Sequence, residues 1–236
     1  MTSATIDRAR AEKKIKTLFG WLFFRRISLP LALLLARTPV TPSQVTAAGL
    51  AFGLAGGALL GTGRYVWLVV GGVFALIAKL LDAADGEVAR AKHLDTPAGY
   101  VADGLVDRVR DPAIIVGLGV GAFRMGHPSA PWWTLAAVAG YLWFFYVSAA
   151  TPSHWREARS NADIGEKHMF RVGGRLRLGA GDTLAVLTMI GAASDRPMWT
   201  VIAIAAVSPL AVAMKVRRLF LSRPWERDEE YASPRV

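Results

Sequence analysis

Apolar runs separated by short glycine-, proline- or charge-rich breaks fill most of the chain beyond residue 41. This pattern is typical of a membrane protein whose helices cross the bilayer several times. Thr41, Pro42 and Gln44 have the spacing of a capping box, which marks the start of the first crossing. We therefore predict an all-α membrane fold with six crossings, at residues 42–61, 65–81, 112–123, 131–150, 178–194 and 198–216.

The first 41 residues follow another pattern, in which cations alternate with large apolar side chains such as Trp21 and Phe24. This pattern predicts an amphipathic helix that lies in the headgroup region of the bilayer. Residues 27–36 are apolar, but Pro30 interrupts them and they are too short to span about 30 Å of hydrocarbon. The chain thus divides into an interfacial segment (1–41), a transmembrane domain (42–222) and a cytoplasmic tail (223–236).

Composition supports a membrane location and narrows the possible partners. Hydrophobic residues make up 53% of the chain, and the formal net charge is +10. The cations flank apolar segments instead of alternating with exposed aromatic residues, so we expect membrane lipids and phosphorylated substrates as partners, and no nucleic acid. The chain has no cysteine, which leaves oxygen or imidazole ligands for any metal.

The distribution of lysine and arginine predicts the orientation of the crossings. With six crossings, only Arg64, Arg124 and Arg196 fall on one side of the membrane. Cytoplasmic loops carry the excess of basic residues. We therefore expect a multi-pass protein of the cell membrane with both termini in the cytoplasm.

Four aspartates stand between the second and third predicted crossings. Asp82 and Asp85 share one helical face, because about 100° separates successive residues of a helix. Asp103 and Asp107 share a face of the next helix in the same way. The link 91–98 contains a proline and permits the chain to reverse. The sequence thus predicts that the two acidic faces meet.

The predicted carboxylate cluster needs a counter-charge, because carboxylates this close repel one another. A divalent metal is the simplest solution, and all-oxygen ligation suits Mg²⁺ or Mn²⁺. For four aspartates placed among glycines in an apolar chain, this interpretation is the stronger one. The competing interpretation is a solvated face or a set of salt bridges to the nearby cations, which are Arg90, Lys92, Arg108 and Arg110.

The acidic region also resembles a known family. The pattern D-x2-D-G-x2-A-R-x8-G-x3-D-x3-D, which begins at Asp82, matches the signature of the CDP-alcohol phosphotransferases at every fixed position. The segment Thr-Pro-Ser-Gln-Val-Thr at 41–46 is similar to a further family element, in which asparagine more often follows proline. The six-crossing layout with an interfacial N-terminal helix is also similar to this family.

The resemblance implies roles for individual residues. Asp82, Asp85 and Asp103 would hold metal ions. Asp107 would complete a two-metal site and act as the general base. The resemblance also implies a homodimer. The residues expected to contact the CDP-linked donor, or to leave room for its cytidine, are Asp82, Asp85, Gly86, Ala89, Arg90, Gly99 and Asp103.

A basic loop, residues 152–178, follows the fourth predicted crossing. It resembles the basic site of phosphatidylinositol-phosphate synthases, whose acceptor is inositol phosphate, and arginine binds phosphate bidentately. The alternative is that these cations only set the topology and attract anionic lipid. The acceptor-binding residues that we select are Arg171, Arg175 and Arg177.

The expected function is transfer of a phosphatidyl group from a CDP-linked lipid, such as CDP-diacylglycerol, to a soluble and phosphorylated alcohol, with release of CMP on the cytoplasmic side. One alternative changes the acceptor to glycerol phosphate, serine or another alcohol. Another is a cation or proton transporter whose carboxylates form the ion path, although this leaves Arg90 and its neighbouring glycines without a role. A degenerate, non-catalytic family member is a third alternative, and the intact motif argues against it.

Overall fold

The structure, a computed structural model, describes residues 17–150, 169–172 and 176–222. The described part is a bundle of helices with one pair of short antiparallel strands. The elements in chain order are a π-helical turn (Gly20–Phe24), α1 (Arg25–Ala36), α2 (Pro42–Leu60), α3 (Tyr65–Ala91), α4 (Pro97–Arg124), α5 (Ala130–Ala150), β1 (Met169–Val172), β2 (Leu176–Gly179), α6 (Ala180–Ala193) and α7 (Pro197–Ser222).

Helices α2 to α7 coincide with the six predicted crossings, which confirms the helical fold class. Helices α3 and α4 are longer than their apolar runs, because the acidic motif continues both helices. Among the described residues, the stretches long and apolar enough to cross a membrane are Pro42–Leu60, Tyr65–Ala91 and Pro197–Arg217, and Ala180–Ala193 is apolar but shorter. The full set of six crossings therefore remains a prediction.

The predicted basic loop contains two short strands, which add to the predicted helical fold. Strands β1 and β2 pair in antiparallel register, with Phe170 opposite Leu178 and Arg171 opposite Arg177. Each strand has one arginine between two apolar residues, and such local alternation favours an extended chain over a helix. The hairpin therefore holds the backbones of Arg171 and Arg177 side by side.

Helix α2 packs against both α3 and α4. Glycines allow these close approaches: a Cβ atom at Gly57 would lie 2.6 Å from the carbonyl oxygen of Ala113, and one at Gly71 would lie 2.8 Å from that of Gly56. Small residues at helix interfaces let backbones approach in this way. Helix α5 packs on α7, and α6 packs on α3. Fully buried core side chains include Leu60, Leu68, Val88, Ile115, Leu118 and Val201.

Capping interactions fix the ends of the helices that carry the acidic motif and its neighbour α2. The capping box at the start of α2 is confirmed, since Thr41 N donates to Gln44 Oε1 at 2.9 Å and Gln44 N donates to Thr41 Oγ1 at 3.3 Å. After α3, His93 adopts a left-handed conformation with φ 57°. Thr96 then caps α4 by accepting a hydrogen bond from Gly99 N at 3.0 Å. These turns produce the predicted reversal between the two halves of the motif.

Helix α1 contacts α3 through Ala32, which is fully buried. The apolar side chains of Ile27 and Leu34 are 56% and 62% exposed. Exposed apolar residues on a short helix agree with the predicted interfacial placement, which stays a prediction. The rest of the predicted interfacial segment, before residue 17, and the predicted tail 223–236 lie outside the described residues.

Candidate active site

The two helices of the acidic motif bring three carboxylates together. Asp82 belongs to α3, and Asp103 and Asp107 belong to α4. One carboxylate oxygen of each residue lies within 4.8 Å of the others. Mg²⁺–oxygen distances are about 2.1 Å, so two ligands of one ion lie up to about 4.2 Å apart. With a small adjustment, these carboxylates could share a hard divalent cation.

Asp85, the remaining aspartate of the motif, is not part of this group of three among the described residues. It is buried, with 5% of its surface exposed. Its Oδ2 accepts a hydrogen bond of 2.5 Å from Thr46 Oγ1 on α2. Thr46 belongs to the 41–46 element, but sequence reasoning assigned it no role. The structure places it as the residue that orients Asp85.

Arg110 on α4 connects two of the clustered aspartates. Its Nη1 donates a hydrogen bond of 3.0 Å to Asp82 Oδ1. Its Nη2 lies 2.6 Å from Asp107 Oδ1, as an ion pair without hydrogen-bond alignment. Its Nε donates to Asp111 Oδ1 at 2.9 Å. The guanidinium is buried and therefore interacts with these carboxylates at low local dielectric.

Lys79 approaches the cluster from the other side of Asp82. Its Nζ lies 2.5 Å from Asp82 Oδ2 and 3.7 Å from Asp182 Oδ1 on α6. The hydroxyl of Thr17 also donates a hydrogen bond to Asp182. Lys79 thus links the acidic motif to α6 and, through Asp182, to the segment that precedes α1.

Only some of the salt bridges expected from the competing interpretation are found among the described contacts. Of the four cations considered from sequence, Arg110 contacts the clustered aspartates. Lys92 instead donates to the carbonyl oxygens of Thr38 at 2.7 Å and Val40 at 2.6 Å. Arg108 lies over the ring of Phe145, 5.3 Å from its centroid. Lys92 and Arg108 thus contact groups other than the clustered aspartates.

Lys79 and Arg110 are shared between the motif and other carboxylates. Each also contacts an aspartate outside the motif, Asp182 and Asp111 respectively. Neither cation is therefore dedicated to the motif. Because like charges repel strongly at partly buried positions, three carboxylates within 4.8 Å of one another favour a divalent cation. The residues present thus fit the predicted metal.

The predicted donor-binding residues lie on the same two helices. A Cβ atom at Gly86 would lie 3.3 Å from Arg90 Nη1, so the glycine leaves room beside this guanidinium. Gly86 and Ala89 are partly exposed on α3, and Gly99 is exposed in the first turn of α4. The predicted acceptor residues are separate in sequence: Arg171 and Arg177 lie on the hairpin strands, and Arg175 lies outside the described residues.

Sequence reasoning missed Lys79, Asp111 and Tyr141 as parts of this site. Asp111 continues the four-residue spacing of Asp103 and Asp107, and this repeat was a usable signal. Lys79 is an ionisable residue inside an apolar run, which by itself indicates a functional position. The hydroxyl of Tyr141 donates a hydrogen bond to Asp111. An aromatic residue in an apolar helix offers no comparable signal.

A cluster of carboxylates within a bundle of largely apolar helices is the arrangement expected of a metal-dependent enzyme of the membrane type. The chain belongs to the CDP-alcohol phosphatidyltransferase family, whose sequence profile matches residues 39–207. Members of this family are transferases, and the family is metal-dependent. The resemblance that the acidic motif carries is thereby confirmed.

Two curated relatives match part of the chain. A bifunctional IPC transferase and DIPP synthase of Rubrobacter xylanophilus is 39% identical over 104 residues, which are 44% of this chain and 21% of that protein. A phosphatidylinositol phosphate synthase of Mycobacteroides abscessus is 38% identical over 96 residues, which are 40% of this chain and 42% of that protein. The match thus spans less than half the length of either relative.

Solved structures of a phosphatidylinositol phosphate synthase from Mycobacterium tuberculosis have the same fold. The structure with CDP-DAG bound gives a TM-score of 0.61 at 24% identity, over 83% of this chain and 94% of that chain. The complex with manganese and citrate gives 0.61 at 23% identity, over 82% and 89% of the two chains. At this level of identity the likeness establishes the fold alone.

Proposed function

We propose that this enzyme transfers a phosphatidyl group from CDP-diacylglycerol, or a similar CDP-linked lipid, to a hydroxyl of a soluble alcohol in phospholipid biosynthesis. The observation that carries the proposal is the gathering of Asp82, Asp103 and Asp107 from two helices to within 4.8 Å. These residues occupy three of the four aspartate positions of an intact family motif. The fold shared with a synthase solved with CDP-DAG bound supports a lipid-linked donor.

In this proposal the four aspartates of the motif, Asp82, Asp85, Asp103 and Asp107, form a two-metal site. When bound, Mg²⁺ or Mn²⁺ would neutralise the donor diphosphate and the CMP leaving group. Thr46 keeps the Asp85 carboxylate directed toward the site through their hydrogen bond. Arg90 contacts a donor phosphate beside Gly86, and Gly99 leaves space for cytidine at the start of α4.

Asp107 has the further role of general base. Its carboxylate takes the proton of the acceptor hydroxyl as the hydroxyl oxygen attacks the phosphorus attached to the lipid. The bond between that phosphorus and the CMP oxygen breaks, and CMP leaves. Arg110 contacts Oδ1 of Asp107, which directs the role of proton acceptor to Oδ2. A base within hydrogen-bond reach of the hydroxyl typically contributes about 10²- to 10⁴-fold in rate.

The proposed acceptor carries a phosphate, and inositol phosphate is the first choice. The register of the hairpin sets the backbone of Arg171 opposite that of Arg177, which supports a shared site for an anion. Arg175 lies between the strands in sequence and would complete the basic site. Both the Mycobacteroides relative and the solved structures are phosphatidylinositol phosphate synthases. Glycerol phosphate and serine are the rival acceptors within the same chemistry.

We place the active site at the cytoplasmic face of a six-helix bundle that forms a homodimer. The basic residues of the chain support this orientation, because few of them fall in the loops at the other end. The lipid donor would enter from the bilayer and the acceptor from water. The exposed apolar side chains of α1 would rest in the headgroup region.

The test is CMP release by the purified protein in detergent, with CDP-diacylglycerol and Mg²⁺ or Mn²⁺. Inositol phosphate, glycerol phosphate, inositol and serine are compared as acceptors, and the lipid product is identified by mass spectrometry. We expect release that requires metal and is stimulated by inositol phosphate, with Asp82→Asn as the inactive control. Absence of CMP release with every acceptor and metal, together with metal-dependent ion flux in liposomes, would replace the proposal with the transporter alternative.

A further inference from the structure

A buried charged network lies one helical turn beyond the metal-binding aspartates of α4. Arg110, Asp111 and Tyr141 have only 2%, 3% and 5% of their surfaces exposed. Arg110 Nε donates to Asp111 Oδ1 at 2.9 Å. The hydroxyl of Tyr141 donates to the other oxygen of Asp111. Both oxygens of Asp111 therefore have donors, and its carboxylate is fixed between α4 and α5.

Arg110 connects Asp111 to the acidic motif. Its Nη1 contacts Asp82 at 3.0 Å and its Nη2 contacts Asp107 at 2.6 Å. Because the guanidinium is planar and rigid, the bond from Nε to Asp111 also determines where the two Nη atoms lie. Three carboxylates thus share a single arginine, two of them in the motif and one outside it.

We propose that Asp111 and Tyr141 are positioning residues which, through Arg110, set the orientation and the effective charge of the metal-binding carboxylates. The inference rests on the proposed metal centre. Asp111 offsets the positive charge of Arg110 beside the metal ligands. It also keeps the guanidinium from moving farther onto the oxygens of Asp82 and Asp107. Both effects favour binding of a divalent cation.

The proposal differs from a purely structural role in what it predicts for metal affinity. Groups that orient metal ligands typically contribute about 10- to 100-fold to metal affinity or activity. A network that only satisfied buried polar groups would change the stability of the fold and leave metal affinity as it is. Direct binding of metal to the resting enzyme separates these roles without reference to turnover.

The experiment measures binding of Mn²⁺ to the purified full chain in detergent, with no donor, from the electron paramagnetic resonance signal of free Mn²⁺. Asp111→Asn keeps the size of the side chain and removes its charge. We expect the half-saturating Mn²⁺ concentration to rise by about 10- to 100-fold. Tyr141→Phe removes only a hydroxyl and keeps the ring, whose centroid lies 4.9 Å from that of Phe145. We expect a smaller rise in the same direction.

Matched controls repeat each chemical change where no metal ligand is near. Asp195→Asn alters an exposed residue of the turn between α6 and α7. Tyr65→Phe alters an exposed tyrosine at the start of α3, whose hydroxyl donates to Ala193 O at 3.4 Å. Both should bind Mn²⁺ as the wild type does.

Unchanged Mn²⁺ affinity in well-folded Asp111→Asn and Tyr141→Phe would overturn the inference and leave the proposed function standing. If Asp111→Asn does not fold, Tyr141→Phe decides the matter alone, because its packing is preserved. A wild-type protein that binds no Mn²⁺ would instead remove the proposed metal centre, and the inference with it. The two failures are therefore distinguishable.

Discussion

Thr46 Oγ1 donates a hydrogen bond of 2.5 Å to Asp85 Oδ2 and thereby joins α2 to the acidic motif. The capping box at Thr41 fixes where α2 begins, and so fixes the height at which Thr46 faces α3. Asp85 is buried, and a buried carboxylate depends on such a donor for its orientation. The 41–46 element and the acidic motif are thus connected by a direct hydrogen bond.

Thr46→Val should impair catalysis while leaving the fold intact, because valine has the shape of threonine without the donor. A hydrogen bond to a charged group contributes about 1.5–3 kcal/mol, so we expect kcat for CMP release to fall by about 10- to 100-fold. Thr46→Ser keeps the hydroxyl and serves as the matched control. Equal rates for the valine and serine variants would show that this bond does not support the reaction.

Asp107→Asn should abolish turnover with little change in donor binding. Asparagine retains the size of the side chain but cannot accept the proton of the acceptor hydroxyl. Loss of a general base lowers the rate by about 10²- to 10⁴-fold. Single-turnover CMP release and equilibrium binding of CDP-diacylglycerol give the two readouts. A near-normal rate would remove Asp107 from the role of base.

Local sequence signals predicted the helices and the aspartates of the site, but they did not predict which side chains pair with these aspartates. The capping box predicted the start of α2, and the offsets within the motif predicted that Asp82 meets Asp103 and Asp107. Both predictions concern a single helix or two consecutive helices, and the helical period determines which residues share a face of such a helix. The contact of Lys79 with Asp182 joins helices that are distant in the chain, and the contact of Asp111 with Tyr141 joins α4 to α5, which lies outside the motif.

The hairpin and the position of Asp85 illustrate the same limit. The concentration of cations predicts a basic loop over residues 152–178, and strands of only four residues are too short to give a clear periodic pattern within it. Asp85 shares a helical face with Asp82, as predicted, but its hydrogen bond from Thr46 on α2 was not predicted. Which partner a side chain takes depends on packing between helices, and one sequence does not contain that information.

Replacement of Arg171 or Arg175 by glutamine should weaken binding of a phosphorylated acceptor. Loss of one charge-assisted contact costs about 1.5–3 kcal/mol, so the KM for inositol phosphate should rise by about ten-fold or more. The KM for CDP-diacylglycerol should change much less. Arg64→Gln, in the turn between α2 and α3, is the control. Equal effects on both KM values would favour a structural or lipid-facing role for the hairpin.

Gly57→Ala should destabilise the bundle, because the added methyl group would lie 2.6 Å from the carbonyl oxygen of Ala113 on α4. Overpacking of this kind costs about 1–3 kcal/mol, which should lower the melting temperature in detergent. Ala58→Val adds more atoms at the next position, which is exposed, and should have little effect. A melting temperature for Gly57→Ala equal to that of the wild type would contradict the close contact of α2 with α4.

Lys79→Met should bind divalent metal more tightly than the wild type, the opposite of the change expected for Asp111→Asn. Lys79 Nζ contacts Asp82 Oδ2 at 2.5 Å, while Arg110 contacts the other oxygen of Asp82. Both oxygens of this ligand are therefore shared with cations that repel an incoming metal ion. Two unit charges 4 Å apart interact by about 4 kcal/mol at an effective dielectric constant of 20.

Even part of this energy would lower the half-saturating Mn²⁺ concentration of Lys79→Met by about ten-fold. Asp182 keeps its hydrogen bond from Thr17 in the variant, which limits the loss of stability. Lys92→Met is the matched control, because Lys92 contacts backbone carbonyl groups and not the carboxylates of the site. Weaker Mn²⁺ binding by Lys79→Met, with Lys92→Met unchanged, would mean that Lys79 orients Asp82 for the metal instead of competing with it.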